Sequence, residues 1–156
     1  MKFSNTYTKV FLILMTCLLF GFARAQDEEA RVIEIKGLNN MTYDKTEIVA
    51  KPGEKITIRL TTVTDFKPRQ MSHNFVLLKQ TADVQAFIAA SERSAIEDFV
   101  APHMRDQVIA FTPMASGGET VEVTFRAPER PSKYMYVCTF PGHFFAGMRG
   151  TLTVRE

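Results

Sequence analysis

Residues that carry metal or thiol chemistry are scarce in this sequence. Its 156 residues contain two cysteines, three histidines and no tryptophan, so any metal site or reactive thiol is built from very few side chains. The sequence has no glycine-rich phosphate loop, no internal repeat and no long run of one charge. The formal net charge of +2 is too small to indicate a nucleic-acid partner. With 46% hydrophobic and 23% charged residues, the composition excludes collagen-like and wholly disordered chains.

A long uncharged apolar run occurs once, at the start of the chain. Lys2 and Lys9 precede residues 10–22, which carry no charge, and small residues lead up to Ala25. This order is typical of a secretory signal peptide. We therefore predict a signal peptide over residues 1–25, with cleavage after Ala25.

Removal of that segment leaves residues 26–156 as one exported, periplasmic domain. This domain has 16 basic and 17 acidic residues, a net charge of −1, because the signal contains three basic residues and no acidic one. Cys138 is then the one remaining cysteine, so it forms no internal disulfide and is free, paired with another chain or bound to a metal. Two alternatives stay open for the N-terminus: an uncleaved anchor, and a lipid attached at Cys17.

Short segments of alternating polarity fill most of the remaining sequence. In residues 55–62, Ile56, Ile58 and Leu60 fall on one face at the period of a β-strand. Turn-forming proline and glycine residues separate several of these segments, which predicts an all-β sandwich or barrel. The predicted strands cover residues 31–36, 47–50, 55–62, 73–79, 119–126, 133–140 and 150–154.

One segment, residues 82–100, departs from the strand pattern. Its composition and the spacing of its apolar residues predict a helical insertion that covers one edge of the sandwich. Ser94 and Glu97 have the spacing of a capping box, which leaves two alternatives for the insertion, one helix or two short helices. His103, one of the three histidines, follows this insertion in a predicted surface loop.

Three potential metal ligands of different chemistry lie close together near the C-terminus. Cys138, His143 and Met148 offer a thiol, an imidazole and a thioether on a loop between two predicted strands, and His73 begins an earlier predicted strand. Two imidazoles and a thiolate in a plane, with a long, weak thioether contact, form the blue-copper sites that transfer electrons. Zinc accepts the same nitrogen and sulfur donors, but its structural sites rarely use methionine, so the set favours copper.

Two stretches resemble a known family. Residues 138–143 (CTFPGH) and 147–154 (GMRGTLTV) resemble the copper loop of azurin, and residues 72–77 (SHNFVL) resemble its other ligand strand. The resemblance covers nearly all of residues 26–156. The chain looks like an azurin/auracyanin-like blue (type 1) copper protein of the plastocyanin/azurin (cupredoxin) family. This likeness implies a cupredoxin-like Greek-key β-sandwich or barrel with one type 1 copper ion.

The resemblance also implies a role for individual residues. The expected copper ligands are His73, Cys138, His143 and Met148. Met148 is the axial ligand, and His143 lies near the surface, where electrons enter and leave. Backbone N–H groups of Asn74 and Phe140 point at the Cys138 sulfur, and the Asn74 side chain ties the two ligand segments together.

The sequence departs from azurin at two points near the expected centre. Four residues separate His143 from Met148, where azurin has three, and this spacing is similar to that of plastocyanin and auracyanin. Ser72 stands where azurin has a glycine whose carbonyl makes a second axial contact. The resemblance therefore implies a four-coordinate copper site.

The implied function is that of an exported mononuclear electron carrier, not an enzyme. It passes single electrons between protein partners, such as a c-type cytochrome or a copper or haem reductase or oxidase, which dock near His143, Phe144 and Phe145. We expect a monomer with no nucleic-acid partner and no stable membrane insertion after cleavage. A multicopper enzyme needs further histidine pairs, and His103 alone is left for them. A copper store or chaperone is the third hypothesis, and such proteins favour exposed, exchangeable ligands.

Overall fold

The computed structural model describes residues 28–68 and 70–156, and these residues form nine strands and one α-helix. The predicted signal peptide, its cleavage site and Cys17 lie outside the described residues. The strands are β1 (Arg31–Leu38), β2 (Thr42–Tyr43), β3 (Glu47–Ala50), β4 (Lys55–Val63), β5 (Val76–Leu78), β6 (Val108–Phe111), β7 (Thr120–Arg126), β8 (Ser132–Val137) and β9 (Arg149–Val154). The helix α1 spans Val84–Ser91, and two 3₁₀ helices span Ala95–Glu97 and Pro102–Gln107.

The strands form two sheets. One has the order β2-β1-β4-β7 and the other β3-β9-β8-β5-β6. Strand β1 pairs in parallel with β4, and β3 pairs in parallel with β9, whereas the other pairs are antiparallel. The chain thus crosses between the two sheets several times, and the predicted all-β Greek-key sandwich with a short helical insertion is confirmed.

The core lies between the inner faces of the two sheets. Ile56, Ile58 and Leu60 of β4 are fully buried, as their alternation predicts, because successive side chains of a strand point to opposite faces. They belong to the same apolar cluster as Phe75 and Tyr136 from the segments of the other sheet. Each fully buried side chain of this size contributes about 1.5–3 kcal/mol relative to its exposed state.

The predicted strand over residues 73–79 is shorter in the structure. Only Val76–Leu78 forms the strand, and His73 pairs with Ala115 in an isolated bridge through bonds of 2.9 and 2.8 Å. Between them the Phe75 N–H is bonded at 3.0 Å to the Thr112 hydroxyl instead of a backbone carbonyl, which interrupts the ladder. A side chain that competes for a backbone donor is not visible as a period in the sequence. Strand β6 was not predicted.

The helical insertion is split in two, as its sequence allowed. Asp83 caps α1 by accepting the Ala86 N–H at 3.1 Å, and a 3₁₀ turn follows at Ala95–Glu97. The predicted capping box is wrong, because the Ser94 hydroxyl donates back to the Ala90 carbonyl at 3.1 Å and makes no cap bond. None of the helices in the described part of the chain is long and apolar enough to cross a membrane.

Candidate metal centre

The loop between β8 and β9 brings most of the candidate ligands together. Cys138 directly follows β8, and its N–H donates to the Met148 carbonyl at 3.1 Å, which closes the loop. Within the loop, the Met148 N–H donates to the His143 carbonyl at 2.9 Å. Gly142 and Gly147 have φ angles of 81° and 104°, and glycine adopts this region without a Cβ penalty.

Two imidazoles and one thiol lie close together at the loop between β8 and β9. The Cys138 Sγ lies 3.5 Å from the His143 Nδ1 and 4.0 Å from the His73 Nδ1. One donor atom from each of the three residues lies within 4.8 Å of the others. His73 and Cys138 are 65 positions apart in the sequence, so the fold, not the local motif, joins them. All three residues are buried.

Met148 is fully buried in the same apolar cluster as Cys138. Its backbone is fixed on both sides by the hydrogen bonds that close the loop. The side chain therefore belongs to the core around the thiol. The role of Met148 as an axial ligand stays a prediction.

Burial keeps both imidazoles neutral. It lowers the pKa of His143 to about 4 and, together with the nearby His143, the pKa of His73 to about 4. The Leu38 backbone acts on the His73 pKa in the opposite direction. Among the described residues, the His73 Nε2 is the one buried side-chain nitrogen or oxygen without a hydrogen-bond partner. Neutral imidazoles at physiological pH keep a lone pair free for a metal.

The thiol is protonated when no metal is present. Burial raises the pKa of Cys138 to about 12, while backbone N–H groups of Asn74 and Phe140 at the sulfur act to lower it. These are the two N–H groups that the resemblance implies at the sulfur. Metal binding to this thiol releases its proton, because the ligand is the thiolate.

Asn74 ties the segments around the centre together. Its Oδ1 accepts the Thr139 N–H at 2.9 Å, and its Nδ2 donates to the Thr139 hydroxyl at 2.8 Å. The same Nδ2 donates to the Asp98 carbonyl at 3.0 Å, so the side chain also holds the helical insertion. The link between the two ligand segments was expected, whereas the link to the insertion was not.

Gly37 is a functional position that the sequence reasoning missed. A Cβ on Gly37 would lie 2.4 Å from the Cδ2 of His73, so only glycine leaves room for this ring against β1. The signal was present, because a glycine inside a strand pattern often marks a close approach of another group to the backbone.

Three expectations about residues near the centre have different outcomes. Phe144 is 4% exposed and packs under the insertion, so its placement on a docking surface is corrected, whereas Phe145 is 65% exposed. His143 is 2% exposed, but Gly142 before it and Phe145 after it are exposed, so the place of the ring near the surface stays a prediction. His103 is exposed, in the 3₁₀ helix Pro102–Gln107.

The donor set fits copper. Thiolate sulfur is a soft ligand that suits Cu(I), and neutral imidazole suits Cu(II). The three buried donor atoms converge without a carboxylate among them. Zinc accepts the same donors, so the chemistry of the set alone leaves both metals possible.

A family model described as copper-binding proteins of the plastocyanin/azurin family matches residues 31–155. The chain belongs to this family. As a member, it carries the metal of the family at its His73–Cys138–His143 cluster: one type 1 copper ion. It is a mononuclear blue-copper electron-transfer protein.

Relatives and solved structures agree with this assignment. Auracyanin-B of Chloroflexus aurantiacus is 46% identical over 85 residues, which are 54% of this chain and 36% of that protein's length. Azurin-1 of Alcaligenes xylosoxydans is 36% identical over 123 residues, 77% of this chain and 94% of that protein. The structure of auracyanin A, a "blue" copper protein of Chloroflexus aurantiacus, matches with a TM-score of 0.72 and 33% identity and covers 81% of this chain and 100% of that one.

Proposed function

We propose that four side chains of this cupredoxin hold the copper ion and that the loaded protein carries single electrons between protein partners. The proposed ligands are His73, Cys138, His143 and Met148. The observation that supports the set is the approach of both Nδ1 atoms to the Cys138 sulfur, at 3.5 and 4.0 Å, in a site closed to solvent.

Bound copper supplies a one-electron Cu(I)/Cu(II) couple. The residues of this chain exclude water and hold the ligands in place. The Asn74 hydrogen bonds fix the strand side against the loop side, and the loop is closed by the Cys138–Met148 backbone bond. Ligands held in this way move little when an electron arrives, which favours fast transfer.

The proposed docking surface lies over the loop. Phe145 is 65% exposed, and beside the loop an open groove of about 420 Å³ is lined by apolar residues that include Phe99, Met114 and Phe140. Transient redox complexes use small interfaces, because they must form and separate quickly. The partners are a c-type cytochrome or a copper or haem reductase or oxidase, and the carrier acts as a monomer.

A catalytic role finds no support in the site. Among residues 28–68 and 70–156, the cluster at His73 is the one group of three or more histidine, cysteine or acidic residues placed to hold a metal. A multicopper enzyme needs further histidine clusters of this kind. We therefore propose that the protein transfers electrons without transforming a substrate.

The proposed location is the periplasm, after cleavage of the signal peptide behind Ala25. The support is the sequence of residues 1–25, with its basic start and uncharged run. The intact mass of protein from the periplasmic fraction tests the cleavage site. A mature chain that begins at Gln26 is expected, and a full-length or lipid-bearing chain would contradict the proposal.

A visible spectrum tests the copper site. One equivalent of Cu(II) is expected to give an intense blue band that ascorbate bleaches and reoxidation restores. A colourless protein that binds zinc would contradict the electron-transfer proposal. Rapid loss of copper to a mild chelator would instead support a copper store or chaperone.

A further inference from the structure

The helical insertion contacts the metal loop through a charged side chain. Glu92 follows the last residue of α1, and its Oε1 accepts the backbone N–H of Gly142 at 2.9 Å. Gly142 directly precedes His143, one of the proposed ligands. The bond joins residues 50 positions apart, so it is a tertiary contact between two separate segments.

The two backbone groups of Gly142 have different partners: its carbonyl accepts the Ala146 N–H at 3.0 Å, and its N–H donates to Glu92. Its φ of 81° is in the left-handed region, and a Cβ added there would meet nothing within 4 Å. Glycine adds conformational freedom of its own at this position. Gly142 is also exposed, so without Glu92 its N–H would bond to water. A charge-assisted hydrogen bond to a carboxylate is stronger than a neutral one and fixes one orientation.

The insertion holds the other neighbour of His143 as well. Phe144 is 4% exposed and packs in an apolar cluster with Phe87 and Ile88 of α1. His143 thus lies between a polar contact at Gly142 and an apolar contact at Phe144, both made by the helical insertion.

We propose that Glu92 is a positioning residue for the metal centre, an inference that rests on the proposed function. Its carboxylate fixes the Pro141–Gly142 peptide, so that the His143 Nδ1 is presented to the Cys138 sulfur. Its negative charge beside the loop favours the more positive copper ion, Cu(II), and lowers the reduction potential. The helical insertion is therefore part of the copper site and not only a cover for the sandwich edge.

Two variants of Glu92 separate the hydrogen bond from the charge. Glu92→Gln keeps an oxygen that accepts the Gly142 N–H but removes the charge, and Glu92→Ala removes both. Glu97→Gln and Glu97→Ala are matched controls, because Glu97 is an exposed acid of the same insertion. In the metal-free protein, Glu92→Ala is expected to speed solvent exchange of the Gly142 amide about tenfold, and Glu92→Gln by less than twofold.

The reduction potential of the copper-loaded protein tests the effect of the Glu92 charge. Both Glu92 variants are expected to raise the reduction potential more than the Glu97 variants do. The proposal would be overturned if the Gly142 amide of Glu92→Ala exchanged with solvent at a rate within twofold of the wild type. It would also be overturned if Glu92→Gln and Glu97→Gln had equal reduction potentials. The exchange measurement needs no copper, so a failure of the copper site itself would show separately, as a protein without the blue band.

Discussion

Cys138 is the residue on which the centre depends most. It is fully buried, and its sulfur is the common neighbour of both imidazoles. The N–H groups of Asn74 and Phe140 at the sulfur withdraw electron density from it. Such contacts tune a blue-copper site, because the metal–sulfur bond dominates its electronic structure.

Replacement of the thiol tests the ligand set. Cys138→Ala is expected to abolish the intense blue band, because that band requires a thiolate bound to copper. Absorbance after addition of Cu(II) measures it. His103→Ala is the control, since His103 is exposed outside the cluster, and it should stay blue. A blue Cys138→Ala protein would show that the assignment of the centre is wrong.

Replacement of the thioether tests the axial position. Met148→Leu conserves volume in a fully buried position, so the protein should fold and keep copper. Loss of the weak sulfur donor is expected to raise the reduction potential, since the axial ligand tunes it. Met135→Leu, at a partly exposed position of β8, serves as the control. An unchanged potential in Met148→Leu would identify Met148 as core packing alone.

Gly37 tests the fit of the His73 ring against β1. Gly37→Ala places a methyl group 2.4 Å from the His73 Cδ2, so the ring or the strand has to move. We expect a loss of about 1–3 kcal/mol in unfolding free energy and an altered copper spectrum. Gly118→Ala introduces backbone strain at a φ of 80° in open space, and its spectrum should stay that of the wild type. Equal spectra in both variants would contradict the proposed contact.

At the scale of the elements, the side chain of Asn74 links three separate segments near the metal centre. Asn74 links the segment before β5 to the loop after β8 and to the end of the helical insertion. Asp98 and Phe99, at that end, have φ angles of 54° and 57°, which cost energy in residues other than glycine. The bonds of Asn74 to Asp98 and of Asp98 to the Met114 N–H at 3.1 Å compensate this cost.

Asn74→Ala removes these links together. It leaves the buried Thr139 without its amide partner, so we expect a loss of about 2–4 kcal/mol in unfolding free energy and faster release of copper. Chemical denaturation and transfer of copper to a chelator measure the two effects. Gln80→Ala removes an exposed hydrogen bond to Ser132 and should change neither by much. Comparable losses in both variants would contradict a special role of Asn74.

At the scale of the whole molecule, the two buried histidines make stability depend on pH. In the metal-free protein their pKa values are about 4, against 6.5 for an ordinary histidine. Between these values the unfolded chain binds more protons, so stability is complete above about pH 6.5 and is lost as pH falls towards 4. The hydrogen bond to Arg31 lowers the pKa of Glu54, so the stability that this group adds is present above the pKa of an ordinary glutamate and is lost as pH falls.

Denaturation midpoints of the metal-free protein from pH 7 to pH 5 test this dependence. The midpoint is expected to fall across the range, and His143→Gln, which removes one of the two groups, should show a shallower fall. Bound copper should flatten the dependence above pH 5, because it competes with protons for the same nitrogens. A metal-free midpoint that is constant over this range would show that the histidines are not kept neutral by burial.

The class of fold and the copper ion could be predicted from the sequence alone, together with a set of four candidate ligands. Period-two alternation made the sandwich predictable, and the unusual combination of cysteine, histidine and methionine on one loop indicated copper. These features are local, so they can be read from residue types and spacing. The family comparison and the cluster at His73 agree with them.

The contacts between distant segments follow from the packing of the folded chain and could not be predicted from the sequence. This packing buried His143 and Phe144, left Phe145 exposed, and placed Gly37 against His73 and Glu92 against Gly142. The failed capping box and the shortened strand at residues 73–79 have the same origin, since side-chain hydroxyls took partners that the local pattern does not specify. Such contacts depend on how the sheets and the insertion pack, and packing joins residues that no sequence period relates.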